Sequence, residues 1–169
     1  MPSILIIGGA RSGKSSHALA LGESLGGHLV FIATAQRFDD EMIARIDRHQ
    51  AERGDDWSTI ETQVEIGSVI QSHNDAAATV VVDCLTLWLN NLMLCDHDLD
   101  VAFAALFGYV RDFRGNLIFV SNELGMGLTP NTPLGRRFRD AHGRMNRLAA
   151  EVCDQVLLMV AGIPLTIKG

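Results

Sequence analysis

The sequence predicts a three-layer α/β fold with a mainly parallel sheet, on three observations. Short apolar runs alternate along the chain with longer helical stretches. Several of those runs are apolar without alternation, as in strands covered on both faces. The first run, Ile4-Leu5-Ile6-Ile7, leads straight into Gly8-Gly9-Ala10-Arg11-Ser12-Gly13-Lys14-Ser15, which has the form G-x-x-x-x-G-K-[ST].

The elements follow in order. The strand Ser3–Ile7 opens the chain, and a helix over Gly13–Leu25 leaves the glycine-rich loop. Leu29–Ala33 is a second apolar strand, followed by a polar helix over Asp39–Arg53 and a helix over Val64–His73. Thr79–Asp83 is a strand that ends in an acid; helices over Leu85–Leu94 and Leu99–Phe113 come next. Leu117–Ser121 is the fourth strand. Gly125 to Pro133 is the one long loop, whose glycines and prolines suit a lid or a subunit contact. A helix over Thr132–Asp154, a strand over Val156–Val160 and a short strand near Leu165–Ile167 close the chain. In such sheets ligands sit at the carboxyl ends of the strands. Those ends are Gly8, Ala33-Thr34, Asp83, Ser121-Asn122 and Ala161-Gly162.

Composition narrows the function. The 169 residues, 47% of them hydrophobic and 20% charged, fit one globular domain spanning 1–169. No segment has the length of a membrane span and the start shows no secretory pattern, so a cytoplasmic location is expected. The net charge of −6 and the lack of a basic stripe argue against nucleic acid as partner. Cys84, Cys95 and Cys153 form neither a disulfide frame nor a zinc pattern and read as buried small hydrophobes.

The loop carries the chemistry. Its glycines let backbone N–H groups form an anion nest, and the following helix points its positive end at the same anion. Lys14 reaches the outer phosphates of a nucleoside triphosphate, and Ser15 offers a hydroxyl to Mg²⁺. Asp83 ends an apolar strand, where an acid either contacts that Mg²⁺ or caps a helix. Arg45, His49 and Arg53 recur at i, i+4 and i+8 along the polar helix. Two guanidiniums beside an imidazole gather phosphate oxygens and keep the ring neutral, hence nucleophilic; a solvated surface face fits the same spacing. The other five histidines read as structural or exposed. Arg136-Arg137-Phe138-Arg139-Asp140, with Gly143 and Asn146, reads either as a second-substrate surface or as a helix with ion pairs and a buried Phe138. Trp57 and Trp88 read as core or interface.

Together these segments resemble the cobinamide kinase/cobinamide-phosphate guanylyltransferase family of cobalamin synthesis. The resemblance rests on Gly8–Ser15, on Asp40-Glu41-Met42 through Arg45-Ile46-Asp47-Arg48-His49 to Arg53, and on Trp57 before Glu61. It continues through Asp83-Cys84-Leu85-Thr86, Ser121-Asn122-Glu123-Leu124-Gly125-Met126-Gly127, Phe138-Arg139-Asp140 and Gly162-Ile163-Pro164 to Lys168. It implies a RecA-like fold of the P-loop NTPase type and a homo-oligomer, as a trimer. It implies phosphorylation of adenosylcobinamide with ATP or GTP, then GMP transfer from GTP, giving adenosylcobinamide-GDP. By the same resemblance His49 carries GMP covalently. The nucleotide contacts fall on Gly8, Gly9, Ala10, Arg11, Ser12, Gly13, Lys14 and Ser15, on Ala33, Thr34 and Ala35, on Gln50, Ala51, Glu52 and Arg53, and on Glu61 and Asp83. Three departures are small: Ala35 stands where some relatives have Ser, Thr62-Gln63 where many have a proline, and Asp83 where some have Glu. Two other functions fit parts of the pattern: a P-loop kinase for another small metabolite without the transferase activity, and a RecA-like assembly module acting on a polymer.

Overall fold

The structure is a computed structural model in which residues 1–36 and 54–169 are described. The expected helix over Asp39–Arg53, including Arg45 and His49, lies outside the described residues. The described part contains β1 (Ser3–Gly8), α1 (Lys14–Leu25), β2 (His28–Ala33), β3 (Ser58–Glu61), α2 (Ile66–Ser72) and β4 (Ala78–Asp83). Then come α3 (Leu85–Leu94), α4 (Leu99–Asp112), β5 (Asn116–Asn122), α5 (Pro133–Val152), β6 (Gln155–Val160) and β7 (Ile163–Lys168).

The strands form one seven-stranded sheet in the order β3-β2-β4-β5-β1-β6-β7. All neighbours pair in parallel except β6 and β7, which form an antiparallel hairpin. The central strands are buried on both faces, which explains their unbroken apolar runs. Residue parity sorts the two faces. Ile4, Ile6, Phe31, Ala33, Val81, Ile118 and Val120 pack with Ala18 and Leu19 of α1. Leu5, Val30, Val80, Leu117 and Phe119 pack instead with α2, α3, α4 and α5. Helices therefore cover both faces, the third layer being α1 alone among the described residues.

Local chemistry sets the element ends. Asp98 caps α4 by accepting the Asp100 and Val101 N–H groups at 2.9 and 3.1 Å. Thr132 caps α5 through the Gly135 N–H, with Pro133 in the first turn. At the other end of α5, Lys168 Nζ donates to the carbonyls of Ala150, Glu151 and Cys153, where a cation is favoured by the helix dipole. The hairpin turn is Ala161-Gly162, with φ of 52° and 82°, the two left-handed residues of a type I′ turn.

Two differences from expectation have physical causes. Strand β3 has one apolar residue, Ile60, in Ser58-Thr59-Ile60-Glu61, and pairs only with β2, so no burial pattern marks it. Cys95 is exposed just past α3, whereas Cys84 and Cys153 are buried as expected; all three thiols are free. Trp57 and Trp88 are both buried. Trp57 lies over Gly22 of α1, where an added Cβ would meet its ring at 2.7 Å.

Candidate nucleotide site

The site forms where β1 stops. Gly8 packs so tightly that a Cβ would stand 2.6 Å from the Met159 carbonyl oxygen of β6, so only glycine fits. Gly13 precedes α1 at φ 91° and Arg11 turns at φ 55°, bending the loop back over the strand. A non-glycine residue at positive φ is uncommon and concentrates at functional loops. Two neighbours pin the loop: Glu123 donates its N–H to the Gly8 carbonyl at 2.9 Å, and Gly162 donates its own to the Ser12 carbonyl at 3.1 Å. Lys14 is buried, and its Nζ donates to the Gly9 carbonyl at 2.5 Å. Ser15 follows in the first turn of α1.

The sheet register then lines up the other expected residues. Ala33 pairs with Glu61 on one side and with Asp83 on the other. Asp83 pairs with Val120, and Gly8 pairs with Asn122. These residues thus form a row along the carboxyl edge of β3, β2, β4, β5 and β1. Asp83 is two residues on from Val81 and so faces α1, the side of the phosphate loop. Thr34 is fully buried; its hydroxyl donates to the Cys84 carbonyl and accepts the Cys84 N–H, at 2.8 and 2.7 Å. Its part in the site is to hold the chain that leaves Asp83, whose peptide bond to Cys84 is cis. Asn91 ties the exits of β2 and β3 together by donating to the carbonyls of Thr34 and Gln63. Ala35 follows at the same edge, half-buried, and Glu61 is exposed at the tip of β3. His49, Gln50, Ala51, Glu52 and Arg53 lie outside the described residues.

Sequence reasoning missed a buried polar cluster behind this row. Ser121 faces away from α1, and its hydroxyl donates to Asn146 Oδ1 at 2.7 Å. His142 Nε2 lies 3.0 Å from the Thr86 hydroxyl. Thr86 accepts the Asn122 N–H at 2.9 Å, and Asn146 Nδ2 donates to the Asn122 carbonyl at 2.9 Å. Burial holds the His142 ring neutral by lowering its pKa to about 4, against a smaller opposing pull from Glu123. His142 and Asn146 are four residues apart on α5, so one helix face presents both. That spacing was the available signal.

Among the described residues no cluster of three or more His, Cys, Asp or Glu is placed to hold a metal. A Mg²⁺ bound with a nucleotide asks for less, one or two protein oxygens with phosphates and water supplying the rest. The Ser15 hydroxyl and the Asp83 carboxylate are oxygen donors of that kind.

A phosphate loop on the first strand, an inserted strand between it and the acid-tipped strand, and helices on both faces define a RecA-like nucleotide-binding α/β protein. Solved structures agree on that fold. A type III secretion system ATPase of pathogenic bacteria matches with a TM-score of 0.60 at 10% identity, covering 98% of this chain and 56% of that one. The protein PH0250 of Pyrococcus horikoshii matches at 0.59 and 10% identity, covering 99% of this chain and 86% of that one. At this identity the likeness concerns the fold alone. The cobinamide kinase / cobinamide phosphate guanyltransferase family matches over residues 4–167, and the chain belongs to that family. It is 43% identical over 167 residues to the bifunctional adenosylcobalamin biosynthesis protein CobP of Pseudomonas aeruginosa, covering 98% of this chain and 96% of that one. It is 34% identical over 181 residues to the bifunctional protein CobU of Escherichia coli K12, covering 98% and 99%. The chain is accordingly a bifunctional enzyme, a cobinamide kinase and a cobinamide phosphate guanylyltransferase.

Proposed function

We propose that residues 1–169 act as one catalytic domain that runs both reactions from one nucleotide edge, with His49 as the covalent carrier of GMP. The observation that carries this reading is the row of Gly8, Ala33, Glu61 and Asp83 along one sheet edge, with Lys14 and Ser15 at its end. In the first reaction the hydroxyl of the aminopropanol arm of adenosylcobinamide takes the terminal phosphoryl group of ATP or GTP. Lys14 offsets charge on the outer phosphates, and the loop N–H groups hold them in place. Ser15 and Asp83 would hold Mg²⁺, which when bound neutralises phosphate charge.

In the second reaction a nitrogen of His49 bonds to the α-phosphorus of GTP. The bond from that phosphorus to the bridging oxygen breaks and pyrophosphate leaves. The phosphate of adenosylcobinamide phosphate then attacks the same phosphorus, the P–N bond breaks, and adenosylcobinamide-GDP departs. Arg45 and Arg53, each four residues from His49 in the sequence, favour the neutral ring that this attack needs. Gln50, Ala51, Glu52 and Glu61 complete the nucleotide surface in this reading, with buried Thr34 holding the edge from behind.

We place the enzyme in the cytoplasm, where its nucleotide substrates are, and no described helix is long and apolar enough to cross a membrane. The net charge of −6 argues against a nucleic-acid partner. Ile163, Leu165 and Ile167 stand more than half exposed along one side of the edge strand β7, which supports a homo-oligomer; the trimer is what the family resemblance implies. Light scattering at micromolar concentration tests this, and a monomer mass overturns it.

The deciding experiment for the mechanism is incubation with GTP labelled at the α-phosphate. The label is expected on His49, labile in acid and stable in base, and absent from His49→Ala, which keeps at least part of its kinase activity. Full GMP transfer by His49→Ala, or a label on another residue, refutes the carrier. A kinase that never forms a protein-bound GMP would be a kinase alone.

A further inference from the structure

We propose that Asn122 contacts the phosphoryl group transferred in the kinase step, and that Thr86 and Asn146, backed by His142, are positioning residues that aim it.

Asn122 ends β5, the strand inserted between the phosphate-loop strand β1 and the Asp83 strand β4. It pairs with Gly8, the first residue of the loop. It is two residues on from Val120, which packs toward α1, so its side chain belongs to the face that carries Lys14 and Asp83. The carboxamide is half-buried and makes no hydrogen bond among the described residues. Its backbone is the opposite case. Thr86 from α3 accepts its N–H and Asn146 from α5 donates to its carbonyl. Side chains from two helices thus fix one residue at a strand tip, where a sheet would ordinarily rely on its own ladder.

The anchors are themselves secured. Ser121 donates to Asn146 Oδ1, which orients that amide so that Nδ2 meets the Asn122 carbonyl. Thr86 uses its oxygen to accept from Asn122, which leaves its proton for His142 Nε2 and puts the ring proton on Nδ1. A cluster of this kind stiffens the strand tip that carries the Asn122 carboxamide. Held stiffly beside the phosphate loop, its N–H donors suit the equatorial oxygens of a phosphoryl group in flight, where fixed donors count most. In that step the substrate hydroxyl oxygen bonds to the γ-phosphorus, and the bond to the bridging oxygen breaks. The nucleoside diphosphate leaves, and the hydroxyl proton is released to solvent.

The inference rests on the kinase activity, so wild-type protein is assayed alongside with adenosylcobinamide and ATP or GTP. No wild-type phosphorylation would refute the kinase reading itself. Asn122→Ala is expected to lower kinase kcat by about a hundredfold, the usual loss of one transition-state donor, with nucleotide KM within about threefold. Asn122→Asp keeps the shape, removes the donor and should lose at least as much, which decides the matter if the alanine variant folds poorly. Asn146→Ala and His142→Ala should lower kcat less, and His142→Gln, whose amide reaches the Nε2 position, should recover activity relative to His142→Ala. Wild-type kcat in Asn122→Ala or Asn122→Asp overturns the proposal. So does a loss confined to KM, or equal activity in His142→Gln and His142→Ala.

Discussion

The two faces of the sheet at its carboxyl edge are built to opposite rules. On the α1 face, Asp83 and Asn122 present polar side chains beside Lys14 and Ser15, and neither Asp83 nor Asn122 has a side-chain hydrogen bond among the described residues. On the other face, Thr86, Ser121, His142 and Asn146 are buried and bonded to one another. One face leaves the Asp83 and Asn122 side chains available for a ligand, and the other uses its polar groups in holding the strand tip still. An active site needs both, because open groups have catalytic value only when their geometry is fixed before substrate arrives.

Breaking the open face should cost activity first. Lys14→Ala is expected to lower kinase turnover about a thousandfold or more, an electrostatic loss of several kcal/mol. The circular dichroism spectrum should be unchanged, since the lysine serves the loop and not the core. Near wild-type phosphorylation of adenosylcobinamide by this variant would remove the phosphate loop from the mechanism.

Breaking the closed face should cost stability as well. Thr86→Val keeps the shape but leaves the Asn122 N–H and the buried His142 Nε2 without their Thr86 partner. An unsatisfied buried group costs roughly 1–3 kcal/mol, readable as a lower urea midpoint at unchanged m. Asn122→Ala, on the open face, should change the stability by no more than about 0.5 kcal/mol. Equal losses of stability in the two variants would erase the distinction between the faces.

Acid tests the same contrast without mutation. An unfolded histidine takes its proton near pH 6.5, and buried His142 takes one only near pH 4. Between those values the unfolded chain holds the extra proton, so stability falls as pH falls. The contribution is fully present above about pH 6.5 and is lost on the way to pH 4, on the order of 3 kcal/mol in all. Urea unfolding at pH 7 and pH 4.5 should show the drop in wild type and a smaller one in His142→Gln. Equal drops would mean that the ring is not buried neutral.

How far the sequence reaches also divides along these faces. The phosphate loop is legible because it is contiguous: eight residues state the turn, the nest and the lysine together. The parallel central strands are legible because burial on both faces leaves unbroken apolar runs such as Thr79-Val80-Val81-Val82. The closed cluster is assembled from α3, β5 and α5, and each member alone is an ordinary polar residue; only His142 and Asn146 share a local spacing. Asn122 was visible as part of a polar strand end, but the anchoring of its backbone was not. The edge strand β3 escaped because an edge needs little burial, here one half-buried residue, Ile60. Cys95 was misplaced inside because cysteine usage says nothing of position once a helix has ended.

The mildest test asks how firmly the open face is sealed beneath its polar row. Cys84 follows Asp83 directly and packs under the α1 face; Cys153 lies under the other. Burial pushes both thiols up to about 12, helped at Cys84 by the Asp83 carboxylate and opposed at Cys153 by the Lys168 ammonium. Neither forms appreciable thiolate at pH 8, and thiolate is the form that alkylates. Cys95 is exposed past the end of α3. Brief iodoacetamide treatment of native protein at pH 8 should therefore add one carbamidomethyl group, on Cys95, as peptide mass mapping would show. Modification of Cys84 at a comparable rate would mean that the chain behind Asp83 opens in the native state. The open face would then be loose as well as available, and the closed face would no longer be holding it.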